Sequence, residues 1–137
     1  KILFFAGGGT NNATKYYSSY TLSKILLIKF TELLDFEEKN IETCILGPGW
    51  INTKIHNPTI KSNIKNFKNK KLTLNILKRD DSNKISKLLV CVDWIFNNMT
   101  NLSGRNLSLD HDKWGSKKLI KKLKKDKNVY KLRRYGN

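Results

Sequence analysis

Positions 2–5 are apolar without alternation (Ile2, Leu3, Phe4, Phe5), the pattern of a strand buried on both faces, and the run stops at Gly7-Gly8-Gly9. A polar loop over 10–15 follows. Apolar side chains then recur at spacings of three and four, at Leu22, Ile25, Leu26, Phe30, Leu33 and Leu34, which predicts a helix with Ser18 or Ser19 as its cap. Ile28 widens the apolar arc towards a second surface. A helix greasy on more than one side is covered by more than its own sheet, and a subunit partner is one way to cover it. Residues 41–46 read as a second strand, ended at once by Gly47-Pro48-Gly49. A helix between two short apolar strands is a β-α-β unit with parallel strands and a right-handed crossover, so both glycine runs are expected at the same edge of the sheet.

The pattern weakens over residues 57–81: Asn57-Pro58 breaks the chain, and as far as Lys71 the apolar positions thin to Ile60, Ile64 and Phe67 among Lys and Asn. One or two short helices over a cleft, or a solvated insertion, fit this stretch. A helix is predicted over 82–98, a turn over 101–104, a third strand over 105–109, and a lysine-heavy amphipathic helix over 113–127 with Leu119, Ile120 and Leu123 inward. The fold class this predicts is α/β: a parallel sheet of about three strands with flanking helices, within one domain of 137 residues.

Charge changes the picture in one half only. Residues 1–56 hold six Lys against five acids, whereas 57–137 hold 21 Lys/Arg against six acids, so nearly all of the net +16 lies in the second part. Such a half can bind nucleic acid or another polyanion, or simply place lysines on solvated faces. The solvated-face reading is the favoured one, and a nucleic-acid partner is not. No apolar run approaches the ~20 residues needed to cross a bilayer, so no membrane partner is expected. Cys44 and Cys91 read as core residues in a reducing, cytoplasmic setting. His111 between Asp110 and Asp112 is too sparse a ligand set for a metal site, with His56 far away in sequence. The apolar strand at residue 1 and the absence of an initial Met suggest the downstream part of a larger protein.

The candidate chemistry sits in Tyr20-Thr21-Leu22-Ser23-Lys24, which places a phenol and an ammonium one helical turn apart. A positive charge at about 4 Å, at an effective dielectric of about 20, favours the phenolate by roughly 4 kcal/mol, an upper limit of about three pKa units. Lys24 is therefore expected to bring Tyr20 towards neutrality, where a general acid or base works best.

In order, these features resemble the short-chain dehydrogenases/reductases: Tyr20 to Lys24 is similar to their Tyr-x-x-x-Lys signature, and Pro48-Gly49-Trp50-Ile51-Asn52-Thr53 to the Pro-Gly-x-x-x-Thr segment after the next strand. The resemblance spans nearly the whole chain, including Leu102-Ser103-Gly104-Arg105 before the last strand. It implies a partial Rossmann-like fold, the last three strands of a seven-stranded order, and an NAD- or NADP-dependent oxidoreductase acting on a small carbonyl or alcohol. It further implies that Tyr20 exchanges a proton with the substrate oxygen and that Lys24 lowers its pKa and binds the nicotinamide ribose. Ile51 and Thr53 would contact the carboxamide, with Pro48 and Gly49 shaping the backbone there. Residues 57–81 would be the substrate loop and 113–137 a basic C-terminal extension, with a homo-oligomer formed through the Tyr20 helix.

Two departures stand out. The family's substrate-binding serine has no counterpart at Ala6-Gly7-Gly8, and losing such a donor costs orders of magnitude in rate. The glycine-rich pyrophosphate loop after a first strand is missing as well, so the isolated chain is expected to be inactive. A degenerate, non-catalytic relative or a basic binding module is the alternative.

Overall fold

The computed structural model describes residues 1–64, 68–78 and 82–134. Phe67, residues 79–81 of the expected substrate loop and residues 135–137 of the expected extension lie outside them.

Three strands, β1 (Ile2–Phe5), β2 (Thr43–Gly47) and β3 (Arg105–Ser108), form one sheet in the order β1-β2-β3. Both pairings are parallel, with Phe4 opposite Ile45 and Ile45 opposite Asn106. Helix α1 (Ser18–Glu37) links β1 to β2, as the periodicity predicts. The chain forms two compact units, Lys1–Gly49 with Leu88–Asn137, and Trp50–Lys87. The second holds a 3-10 turn (Lys54–His56), α2 (Asn57–Lys61) and α3 (Lys68–Leu77). Pro58 opens α2 instead of breaking the chain, because a residue in the first helical turn has no intrahelical N–H bond to lose. Helix α4 (Ser82–Asn97) returns to the first unit. There α5 (Met99–Leu102) takes the first half of the turn expected over 101–104, Ser103 and Gly104 form the turn itself, and α6 (Lys117–Lys125) follows β3.

Alternation along the strands separates two layers. Ile45 and Phe4 face α1, where Ala6, Leu27 and Ile28 complete a small core. Cys44, Leu46 and Leu107 face the other way, into the main core with Cys91, Ile95, Met99, Leu102, Leu119 and Leu123. Being central, β2 is buried from Thr43 through Leu46, and each such aliphatic side chain contributes about 1.5–3 kcal/mol. Both cysteines are buried in the core, as expected, and burial pushes the Cys44 thiol up to about 12.

Three expectations change. Strand β1 is not buried on both faces: as the edge strand, with only β2 beside it among the described residues, it has Leu3 and Phe4 half-buried and Ile2 and Phe5 exposed. The arc of α1 that meets the sheet is that of Leu27, Ile28 and Thr31, whereas Leu22, Leu26, Phe30, Leu33 and Phe36 face outward, Leu26 at 69% exposure. One hydrogen bond ties this arc to the sheet. The Thr31 hydroxyl donates to the Leu27 carbonyl (2.8 Å), and the buried Thr43 hydroxyl of β2 donates to the Thr31 carbonyl (2.9 Å). Neither serine caps α1: Tyr17 occupies the N-cap position without a side-chain bond.

At the far end of α1, Ser103 donates to the Asp35 carboxylate and accepts from the Thr43 amide (2.9 Å). Gly104 follows at φ 70°, and an added Cβ would lie 3.0 Å from the Asp35 Cγ, so two constraints hold a glycine there. Arg105, 7% exposed, turns into the main-core face and donates to the carbonyls of Leu123 (2.9 Å), Val129 (2.6 Å) and Asp126 (3.3 Å). A buried cation is thereby matched to the negative end of α6. No helix among the described residues is long and apolar enough to cross a membrane.

Candidate active site

At the carboxyl end of β1 the chain turns through Gly7-Gly8-Gly9 and a polar loop before entering α1. Tyr16 takes a left-handed φ of 68° in that approach, and the Thr21 amide donates to the Tyr17 carbonyl (2.7 Å) to begin the helix. Tyr20 thus stands in the first turn of α1, and its phenol lies over Gly7. A Cβ at position 7 would collide with the phenolic oxygen and come within 2.7 Å of the Tyr20 Cζ and 3.0 Å of the Lys24 Cγ. Gly7 is the floor on which both side chains rest. Among the described residues, a Cβ on Gly8 would meet nothing within 4 Å, whereas one on Gly9 would lie 2.9 Å from the Thr21 hydroxyl, which is buried and finds no hydrogen-bond partner among them.

The Lys24 ammonium donates to the Phe5 carbonyl (3.1 Å) and lies 5.8 Å from the centroid of the Tyr20 ring. Phe5 belongs to the edge strand, and its carbonyl takes a side-chain donor in place of a neighbouring strand. Tyr17 meets Tyr20 edge to face, with centroids 6.2 Å apart. Burial, reinforced by Tyr17, raises the Tyr20 phenol above its ordinary value. This corrects the expectation that Lys24 lowers it. The ammonium is committed to a backbone oxygen, and the partial removal of water from the phenol decides the sign. At neutral pH Tyr20 is therefore protonated and able to donate a hydrogen bond or a proton.

Gly47, Pro48 and Gly49 leave the carboxyl end of β2, which in this parallel sheet is the end at which Gly7 leaves β1. The Ala6 amide donates to the Leu46 carbonyl (2.9 Å), and the Leu109 amide to the Gly47 carbonyl (2.9 Å), so all three strands end together. Gly49 has φ 70°, which a residue with a side chain rarely adopts. Tyr20, Lys24, Pro48 and Gly49 are thus brought to one sheet edge.

Ile51 and Thr53 belong to the second unit. Within it, the His56 Nε2–H donates to the Ile51 carbonyl (2.8 Å), and the His56 ring stacks on Trp50 with centroids 5.1 Å apart. Thr53 is exposed and takes the N-cap position of the 3-10 turn without a side-chain bond. His111 and Asp112 serve a turn: the His111 amide donates to the Ser108 hydroxyl (3.3 Å), and Asp112 accepts from the Ser108 amide (2.6 Å). Burial and the hydrogen bond to Asp112 push the Tyr130 phenol up to about 12.

Compared with protein-family models, curated proteins and solved structures, the chain gives no match.

Two participants escape sequence reasoning. Gly7 as a floor under Tyr20 carries no sequence signal, since contact between residues thirteen apart depends on how the loop folds back. Tyr17 was within reach, because it lies three residues before Tyr20 on what becomes one helical surface.

Proposed function

We propose that this chain carries the proton-transfer edge of a short-chain-type oxidoreductase, which moves a hydride between a nicotinamide cofactor, NAD or NADP, and a small carbonyl or alcohol. The observation that supports this most is the shared seat of Tyr20 and Lys24 against Gly7, at the sheet edge from which Pro48 and Gly49 also depart. The sheet would then be the last three strands of a larger Rossmann-like order, and the outward arc of α1 the surface of a homo-oligomer in the cytoplasm.

The residues present fit the nicotinamide end of such a cofactor and not its phosphate end. A glycine turn beside a phenol and an ammonium suits a flat, polar ring and its ribose, with Lys24 on the ribose. The loop over 10–17 separates the glycine run at 7–9 from the Tyr20 helix, and residues 50–53 separate Gly47-Pro48-Gly49 from the 3-10 turn, so neither run opens directly into a helix N-terminus that would cradle a pyrophosphate. Bound there, the nicotinamide would supply the hydride. Tyr20, protonated at neutral pH, suits the reductive direction, in which the substrate oxygen gains a proton as its carbon gains hydride. Lys24 lowers the phenol only if its ammonium leaves the Phe5 carbonyl and turns towards the hydroxyl. The lack of a hydroxyl at positions 6–8 favours a slow enzyme, or a degenerate relative as the second reading.

The reading is tested on the complete coding-sequence product that contains this chain, by following NADH and NADPH oxidation with a panel of aldehydes and ketones. Tyr20→Phe is expected to lower kcat by about 100-fold or more while the cofactor still binds. A Tyr20→Phe protein that turns over at the unsubstituted rate would refute the reading. For the 137-residue chain by itself, no tight, saturable NADH titration is expected.

A further inference from the structure

Helix α6 and its flanks carry eight of the chain's lysines between residues 113 and 127, against a single acid, Asp126. Tertiary structure arranges this charge in a way that composition does not. Leu119 and Leu123 are buried in the main core and Ile120 packs against it, which fixes the rotation of α6. At about 100° per residue, those three span an arc of about 100°, whereas Lys117, Lys118, Lys121, Lys122, Lys124 and Lys125 fill the opposite arc of about 160°. All six are exposed. They form two rows at spacings of four and three, 117/121/124 and 118/122/125, along a helix about 14 Å long.

We infer that this face of α6 binds the phosphate backbone of double-stranded DNA without regard to sequence, a property independent of the function proposed above. Six positive charges over about 14 Å is one per about 2.3 Å, close to the one negative charge per about 1.7 Å of a duplex. A helix about 10–12 Å across, lying along a B-form major groove about 12 Å wide, presents one lysine row to each lip. Three features narrow the partner. The apolar arc of α6 is spent on the core, Leu123 being 2% exposed, so nothing is left to insert into a membrane. The neighbouring aromatics are engaged inward: Trp114 donates to the Leu109 carbonyl (3.0 Å) beside Trp94, and Tyr130 lies beneath Lys122. Single-stranded nucleic acid would need exposed rings on which bases stack. An A-form RNA duplex has a deep, narrow major groove closed to a helix. Lysine supplies point charges without the bidentate fork that reads base edges, so the contact is with phosphate alone.

The test is fluorescence anisotropy of a labelled 20-base-pair DNA duplex titrated with the full 137-residue chain at about 50 and 200 mM salt. Binding at the lower salt is expected, with a steep loss at the higher. The K117Q/K121Q/K124Q chain should lose about 2.7 from the slope of log affinity on log salt, so the unsubstituted chain falls about 40-fold more between the two conditions. K118Q/K122Q/K125Q should behave alike. The control K15Q/K39Q/K61Q, with the same change in net charge, should keep the original slope, and circular dichroism should show equal helix content in all four. Absence of DNA binding at low salt would overturn the inference, as would an equal loss in the control. Tighter binding to an RNA duplex, or equal binding to vesicles of 30% phosphatidylserine in phosphatidylcholine, would overturn it too.

Discussion

Replacing Gly7 by alanine tests the geometry on which the candidate site depends. The new Cβ would overlap the Tyr20 hydroxyl and stand 2.7 Å from its Cζ, where ordinary carbon contacts begin at about 3.5 Å. The strand end beneath is pinned by the bond from the Ala6 amide to the Leu46 carbonyl, so the phenol must move. Overpacking costs about 1–3 kcal/mol in a closed core, and the figure here belongs at the low end, about 1 kcal/mol, because a half-buried ring can swing outward. The distinctive consequence is electrostatic. Burial is the largest cause of the raised Tyr20 pKa, so a displaced, better hydrated phenol returns towards the ordinary value near 10. The assay is NMR titration of Cζ-labelled tyrosine, with the Tyr20 signal assigned through Tyr20→Phe. In Gly7→Ala the Tyr20 midpoint should fall while that of Tyr130 stays. If the Tyr20 midpoint and chemical shift are unchanged, the phenol does not rest on Gly7, and the grouping of Tyr20 with Lys24 loses its support.

Arg105→Met removes three donors from the carbonyls of Leu123, Val129 and Asp126, two of them well formed, and should lower stability by about 3 kcal/mol; equal urea midpoints would show that guanidinium desolvation cancels the bonds. Hydrogen exchange in α6 should quicken in that variant before the sheet is affected. The two bonds from Arg133 and the nearby Lys29 hold the Glu32 carboxyl down to about 2 from 4.5. Since the folded state holds the lower value, this stabilisation is present above pH 4.5 and is lost as pH falls towards 2, and exposure of the pair limits it to about 1 kcal/mol. Urea midpoints measured across that range should fall less steeply in Glu32→Gln; an identical pH dependence would discount the pair.

Much of the architecture follows from the order of residues alone. Three apolar runs of strand length, separated by helical periodicities, dictate parallel strands, and a parallel sheet places Gly7 and Pro48-Gly49 at one edge whatever the details of packing. The spacing of Tyr20 and Lys24 likewise commits them to one face of α1. What those side chains do there was settled by contacts distant in sequence. Periodicity marked the apolar arc of Leu22, Leu26, Phe30 and Leu33, but the arc of Leu27, Ile28 and Thr31 packs on the sheet, where Thr43 bonds the Thr31 carbonyl, and the marked arc faces outward. Local spacing predicted a lowered phenol; the Phe5 carbonyl took the ammonium and burial raised the pKa instead. A sequence records which residues share a surface because helix and strand repeats are fixed by backbone geometry. Which surface meets water, and which charge is already engaged, depends on partners brought together only by folding.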